Sequence, residues 1–151
     1  MRKLTYLALA FVATALVVAC SSSSSSPSAS SGGTGGTGGL TGKAWMLTAI
    51  TEKVPAFQGV VPEADQANYT IEFKSDGILS AKADCNQLLG TYTTTSSGGL
   101  TILLGPSTLV ACPATSLAPQ YVAGLGNAAS YAIANGQLTI TLKDDGTLAF
   151  K

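Results

Sequence analysis

The sequence predicts a small domain that is mostly β with one short helix, an α+β fold in which about eight strands form a curled antiparallel sheet or a partly open barrel. Three observations predict it: segments in which apolar and polar residues alternate, tight-turn dipeptides between those segments, and one stretch with helical spacing. The chain has 151 residues. After the apolar start and a Ser/Gly tract, about 110 residues remain, which is enough for one domain.

The start of the chain has the layout of a secretory signal. Met1-Arg2-Lys3 is followed by an uncharged run from Leu4 to Val18 and then by Ala19-Cys20. The run is about 15 residues long, shorter than the roughly 20 that a spanning helix needs. A basic start, an apolar centre and a small residue at the end are typical of a cleaved leader. Residues 1–19 are therefore predicted to be a signal peptide.

The end of this leader, Val17-Val18-Ala19-Cys20, resembles the bacterial lipobox. The resemblance implies that Cys20 is diacylated before cleavage and then N-acylated; an ordinary signal peptide with a chance cysteine is the alternative. Three acyl chains exceed the two signals that already give stable anchoring. Ser21 is compatible with release to the outer membrane, and in a cell with one membrane the protein would stay on its outer face. We expect a cell-envelope protein, tethered to a membrane through Cys20.

The residues after the leader predict a flexible linker. The tract from Ser21 to Gly39 consists almost entirely of Ser, Gly, Thr and Pro, so it has too few apolar residues to pack. A linker of this length has a root-mean-square span of roughly 25 Å and an extended reach of roughly 60 Å. Residues 20–39 are thus the lipidated cysteine with its linker, and residues 40–151 form the domain.

The first part of the domain is dominated by strand patterns. Trp45 lies in an apolar segment and is expected in the core, and residues 69–73 alternate apolar with polar positions. Residues 52–67 contain two prolines and a glycine and are expected to form a long loop that covers one end of the fold. Gly105-Pro106 is expected to end the fifth strand. The predicted strands here are residues 44–50, 69–73, 78–83, 91–95 and 100–104.

The second part predicts one helix and a three-stranded meander. Ser116 is a candidate N-cap with Pro119 in the first turn. Gly124 and Gly126 each cost a helix up to about 1 kcal/mol relative to alanine, so packing must hold it. The helix should be short, with one apolar face made by Leu117, Tyr121, Val122 and Leu125. Strands are predicted over residues 130–134, 137–142 and 147–150, with turns at Asn135-Gly136 and at Asp144-Asp145-Gly146.

Charge and composition exclude some functions. Eight basic residues balance eight acidic ones, but Arg2 and Lys3 lie in the leader, so the mature chain is mildly acidic. A nucleic-acid binder would need a basic face. The chain has no His, which removes the commonest general base and the commonest metal ligand. We therefore expect no nucleic-acid partner, no metal, no cofactor and no enzymatic activity.

The domain resembles the META domain of HslJ-like bacterial lipoproteins. The likeness covers about residues 40 to 151. It departs from the family pattern at Asp84, where glycine is usual, at Val110, where methionine is usual, and near Ala118 or Gln120, where the helix lacks its expected acid. The residues that match in order and spacing are Trp45, Cys85-Asn86, Gly90-Thr91-Tyr92, Thr108 and Ala111-Cys112-Pro113. The resemblance implies a small mixed barrel or curled sheet with one helix, export to the envelope and a link to stress tolerance, but no established molecular activity.

Cys85 and Cys112 are expected to form a disulfide. They could serve as a metal or catalytic pair, but the chain has no His and no CxxC spacing. With Cys20 consumed by lipid, these two thiols remain in an oxidising compartment. Asn86 could contact a ligand; next to a cysteine at a strand end, it is expected instead to bond nearby backbone groups.

Other residues that could suggest ion or phosphate sites are interpreted as structural. Asp76-Gly77 and Asp144-Asp145-Gly146 lack the further acids of a calcium loop, so they are turns. The glycine repeats from Gly32 lack a following Lys-Ser/Thr, so they belong to the linker.

The combined expectation is a non-catalytic, monomeric envelope domain that recognises an unknown protein or envelope ligand. One alternative is an inhibitor of an extracytoplasmic hydrolase that inserts the loop at residues 52–67 into a cleft. Another is a pilotin-like secretion or assembly factor, which would need an apolar groove between helix and sheet.

Overall fold

The computed structural model describes residues 39–151. The predicted signal peptide, the lipid site at Cys20 and the linker up to residue 38 lie outside the described residues. One α-helix, α1, spans Ala118–Gly126, and a 3-10 helix spans Glu63–Asn68. The strands are β1 Ala44–Lys53, β2 Ala56–Val60, β3 Tyr69–Phe73, β4 Ile78–Ala83, β5 Asn86–Thr94, β6 Leu100–Ser107, β7 Ala128–Ala134, β8 Gln137–Leu142 and β9 Thr147–Phe150.

The strands form one curled antiparallel sheet in the order β6-β5-β4-β3-β1-β9-β8-β7, with β2 paired to β1 outside this path. The edges β6 and β7 meet near one end, through the bridge Gly99↔Ser130 and the Tyr131 N–H that donates to the Gly98 carbonyl at 2.9 Å. Beyond that point α1 contacts β6 and leads directly into β7, so it occupies the gap between the edges. The predicted fold, a mostly β half-barrel with one short helix, is confirmed.

The core lies inside the curl, where the alternating positions of the strands meet. Tyr69, Ile71 and Phe73 are all buried, as their alternation predicts. Trp45 is 1% exposed, and its indole N–H donates to the Leu40 carbonyl at 2.8 Å. A buried indole N–H needs such a partner, so Leu40 fixes the chain just before β1. The prediction that Trp45 is a core residue is confirmed.

Packing holds α1 against the sheet. A Cβ added at Gly124 would lie 2.9 Å from Leu148 Cδ2, so glycine lets the helix approach β9 closely. Tyr121 is fully buried and donates its hydroxyl to the Thr70 carbonyl at 3.1 Å. Burial raises the pKa of Tyr121, which keeps the phenol a neutral donor. The N-cap residue is Leu117, one position after the predicted one, but the Ser116 hydroxyl accepts the Ala118 N–H at 3.1 Å.

The prediction of a long loop at residues 52–67 is wrong. The chain turns at Val54-Pro55 and pairs back on β1, with Lys53 opposite Ala56, and then forms the 3-10 helix. Pro55 and Gly59 weakened the strand pattern in the sequence. Pro55 lies in the turn before β2, and Gly59 is tolerated because β2 is an edge strand that pairs only with β1.

Several strand boundaries also differ from the prediction: β1 ends later, at Lys53, and β7 begins earlier, at Ala128. β6 continues through Gly105-Pro106 to Ser107, because an edge strand tolerates a residue without an N–H. β5 begins at Asn86 rather than at Thr91, so its first residues pair with the end of β4. An irregularity in the β5–β6 register between Leu88 and Gly90 accommodates the extra length.

Candidate functional site

Residues 108–117, which we call the strap, join β6 to α1 without forming a helix or a strand. A disulfide links Cys112 in the strap to Cys85, the residue just before β5, with Cα atoms 5.6 Å apart. The structure thus forms the predicted bridge. It ties the middle of the strap to the corner between β4 and β5, beside the residues that carry the family likeness.

The amide of Asn86 fastens the strap beside this disulfide. Its Oδ1 accepts the Val110 N–H at 2.8 Å and the Thr108 hydroxyl at 3.0 Å. Its Nδ2 donates to the Val110 carbonyl at 3.0 Å and to Cys112 Sγ at 3.3 Å. The Thr108 hydroxyl also accepts the Gln87 N–H at 2.9 Å. Asn86 bonds both backbone groups of Val110, as a neighbouring strand would, and this is the predicted structural role.

The corner that carries Cys85 has a left-handed backbone. Asp84 has a φ of 58°, and its N–H donates to the Asn68 carbonyl at 2.7 Å. Aspartate tolerates this conformation better than most residues with a side chain. The replacement of the usual glycine by Asp84 therefore leaves the geometry of the corner intact.

Two further motif residues hold the sheet rather than face a ligand. A Cβ at Gly90 would lie 2.6 Å from the Leu103 carbonyl oxygen, so only glycine lets β5 approach β6 at this point. Tyr92 is buried, donates its hydroxyl to the Lys74 carbonyl at 2.7 Å and meets the Phe73 ring edge-on at 4.9 Å. Burial raises the pKa of Tyr92, and Asp76 adds to the effect.

A cleft of about 480 Å³ opens between the strap, the start of β5 and α1. Leu88 and Ala83 lie at the sheet side, while Pro119 and Val122 line it from the helix. Its volume falls in the range of small-molecule sites. None of the side chains that line it is charged. The cleft therefore offers apolar contact and neutral hydrogen-bonding groups.

A second cleft, of about 420 Å³, lies on the other side of the strap. Asp65 and Asp84 line it, and Pro113 and Ser116 belong to both clefts. Pro113 thus separates an uncharged cleft from an acidic one. Ala111 is exposed and lines neither.

Two exposed apolar side chains in the strap lie beside the uncharged cleft, and the sequence analysis did not identify them. Leu109 is 93% exposed and Val110 58%. One feature of the sequence indicates this region: no Asp, Glu, Lys, Arg or His occurs between Asp84 and Lys143. This uncharged segment contains β5, β6, the strap, α1, β7 and β8.

The acidic turns behave as predicted. Asp76 Oδ1 accepts the Ile78 N–H at 3.0 Å, and Asp144 Oδ1 accepts the Gly146 N–H at 3.2 Å. The bond from Gly146 holds the pKa of Asp144 below its ordinary value. In residues 39–151 no three His, Cys, Asp or Glu side chains come together where they could hold a metal ion. The same residues contain no helix that is long and apolar enough to cross a bilayer.

The half-barrel and its disulfide-held strap define the class of the protein: a small β domain in which the Cys85-Asn86 corner has a structural role. The META domain family model matches residues 38–151, so the chain belongs to the META domain family. An NMR structure of a protein from Burkholderia xenovorans is similar, with 24% identity and a TM-score of 0.58 over 74% of this chain and 82% of that one.

A second solved structure shows the same fold. It is the crystal structure of a DUF4847 family protein from Bacteroides vulgatus, with 15% identity and a TM-score of 0.53 over 74% of this chain and 92% of that one. At these identities the likeness shows the fold alone. Among proteins with curated descriptions, none matches this chain.

Proposed function

We propose that this protein is a lipid-anchored envelope protein that recognises another envelope component or a secreted protein, without catalysis, through the uncharged cleft beside the strap. The observation that carries the proposal is the cleft itself. It has about 480 Å³ of space, an uncharged lining and the exposed side chain of Leu109 at the strap. Exposed apolar residues around a concave site are typical of a binding surface.

The polar groups of the motif favour recognition over catalysis. Asn86 and Thr108 bond each other and the strap, so their side chains serve to position the backbone. Screening the full chain against ester, peptide, glycoside and phosphate substrates should give no turnover above background. Turnover that disappears in Asp84→Asn, while the fold is unchanged, would overturn this part of the proposal.

The membrane anchor is proposed from the sequence of the leader. Val17-Val18-Ala19-Cys20 resembles a lipobox, and the predicted linker behind it would let the domain stand off the bilayer. We place the protein in the outer membrane where the cell has two membranes, with stress tolerance as its setting. Metabolic labelling with a palmitate analogue should mark the wild type and miss Cys20→Ala. Equal labelling of both would remove the anchor.

A second candidate function is that of a pilotin-like secretion or assembly factor. It is favoured because the cleft lies between α1 and the sheet, which is the kind of groove that such a role needs. A hydrolase inhibitor has less support. That role needs a free loop, but residues 56–60 pair with β1. The exposed apolar residue at the tip of this hairpin is Val54, at 80% exposure.

Site-specific photo-crosslinking in cells tests the proposed site. A photo-crosslinking amino acid in place of Leu109 should give an adduct with an envelope or secreted partner. The same amino acid in place of Val54 should give none. Both positions are exposed and apolar, so the pair controls for non-specific contact. The adduct also separates the candidates, since a secretion component, a hydrolase and a glycan have different masses and compositions. Adducts at both positions or at neither would contradict the proposed site.

A further inference from the structure

The strap, which lines the uncharged cleft, contains one residue, Leu109, whose backbone groups have no partner among the described residues. The Thr108 N–H donates to the Gln87 carbonyl at 3.0 Å, and Asn86 bonds both backbone groups of Val110. Because the residues on either side of Leu109 are bonded on the β5 side, alternation along the chain directs the N–H and C=O of Leu109 the other way. Leu109 makes no hydrogen bond with any described residue. The strap thus continues the free edge of β6 alongside the start of β5.

The opposite wall is an apolar helix surface. Ala118, Pro119 and Val122 of α1 line the cleft, and Val122 is half-buried. A strand edge on one side with a helix on the other is an arrangement that binds extended peptides. The main chain of the peptide bonds the edge, and alternate side chains enter the groove. Peptide backbone groups match the unpaired groups of Leu109, which an acyl chain would leave unsatisfied.

The charge pattern restricts what such a peptide contains. The lining has no charged side chain, and the chain has none between Asp84 and Lys143. A charged side chain that entered the cleft would lose hydration without meeting an opposite charge. An apolar side chain would enter favourably. Unlike this strap, most natural strand edges carry charges or are covered, which prevents such pairing.

We propose that the cleft binds an extended, uncharged peptide segment of another protein, with apolar residues at alternate positions, by strand addition along residues 107–110. This inference rests on the proposed function and deepens it by naming the class of partner and the binding mode. The Leu109 N–H and C=O bond the backbone of the added strand, while the apolar side chains of that strand pack against Pro119 and Val122 of α1.

Amide NMR of the full chain in detergent tests the binding mode. The probe is a capped peptide of alternating threonine and leucine. One control has glutamate in place of threonine, and the other has N-methyl groups on alternate amides. The first peptide should slow hydrogen exchange of the Leu109 amide and bind at least tenfold more tightly than either control. Exchange at Val54 should stay unchanged.

A matched pair of variants locates the site. Leu109→Lys places a charge at the strap, and it should weaken binding of the threonine-leucine peptide at least tenfold. Val54→Lys introduces the same charge at another exposed apolar residue and should leave binding unaltered. Equal effects of the two variants would place binding elsewhere and overturn the proposal.

The remaining outcomes separate the two proposals. Equal binding of the N-methylated peptide, or no binding up to about 1 mM, would show that strand addition is wrong. If crosslinking at Leu109 in cells still succeeds in that case, the cleft recognises another chemistry, such as a glycan or an acyl chain, and the proposed function stands. If crosslinking fails as well, both proposals fall.

Discussion

The two halves of the described domain differ completely in charge. Residues 39–84 and 143–151 carry all its Lys, Asp and Glu side chains, whereas residues 85–142 carry none. Since β5 and β6 lie at one end of the sheet, β8 and β7 lie at the other and α1 fills the gap, the uncharged residues form a continuous part of the half-barrel. Charged surface opposes association, so the uncharged half is the one that can bury a partner's apolar surface without leaving ions unpaired.

The contacts that stabilise each half also differ. The charged half has exposed or partly exposed polar contacts, such as Lys151 with Glu63 at 3.4 Å and Lys82 with Asn68 at 2.7 Å. Contacts of this kind contribute little to stability. The uncharged half instead fixes its strap with a disulfide and the Asn86 amide. A strap that is held at several points keeps its cleft open before a partner arrives, which lowers the entropy cost of binding.

The largest effect is expected from removing the disulfide. The bridge joins residues 27 positions apart, so in the chain-entropy model its loss costs about 3.5 kcal/mol of unfolding free energy. Cys85→Ser and Cys112→Ser should each lower the melting temperature, and the double variant should be no worse than either. In a Cys20→Ala background, the denatured protein should show no free thiol without reductant. Two titratable thiols would refute the bridge.

Gly90→Ala should have the next largest effect. Its Cβ would meet the Leu103 carbonyl at 2.6 Å, so β5 and β6 must move apart, at a cost of about 1–3 kcal/mol in unfolding free energy. Gly126→Ala is the control, because a Cβ there meets nothing closer than 3.9 Å, and it should stabilise the helix by up to about 1 kcal/mol. Denaturant unfolding measures both. A neutral Gly90→Ala would mean that the β5–β6 edge is loosely packed.

Asn86→Ala should lower the unfolding free energy by about 1–2 kcal/mol, because both backbone groups of Val110 lose their partner. Hydrogen exchange of the Val110 amide should accelerate, while exchange of core amides changes only with global stability. Asn68→Ala, which removes one bond to Lys82 in the charged half, should cost less. Equal losses would show that Asn86 does not hold the strap in a special way.

The smallest effect concerns Asp144 in the charged half. The Gly146 N–H lowers the pKa of this half-buried residue below its ordinary value of 3.8, so the folded state favours the carboxylate. The resulting stabilisation is present above that value and is lost as pH falls through the lower, folded pKa. The difference in melting temperature between the wild type and Asp144→Asn should therefore shrink between neutral pH and about pH 3. A difference that is independent of pH would contradict this.

Alternation and turn residues predicted most of the sheet. Residues 69–73 and 137–142 have clear patterns because one face of each strand meets the core, and Asn135-Gly136 marks its hairpin unambiguously. β2 was missed, since Pro55 and Gly59 are loop-forming residues and only the pairing with β1 makes the segment a strand. Prediction from local pattern fails where a long-range partner decides the conformation.

The candidate site was only partly predictable. The Cys85–Cys112 pair followed from elimination, and the structural role of Asn86 followed from its position beside a cysteine. That Asn86 bonds Val110 depends on how the strap crosses the corner, which no local pattern contains. The cleft combines residues from β4, β5, the strap and α1, so it exists only after folding. The absence of charge between Asp84 and Lys143 was the one signal of it in the sequence.

The most direct test of the difference between the halves is a lysine scan in cells. Each lysine variant carries the crosslinking residue at position 109, and the yield of the partner adduct is measured. Lysine at Val110 or Val122, which both line the cleft, places a charge in the uncharged half, and lysine at Val54 or Val60 makes the same change outside it. The yield of the partner adduct should fall at least tenfold for the first pair and stay unchanged for the second. Equal yields for the two pairs, with all four variants folded, would contradict a recognition role for the uncharged half.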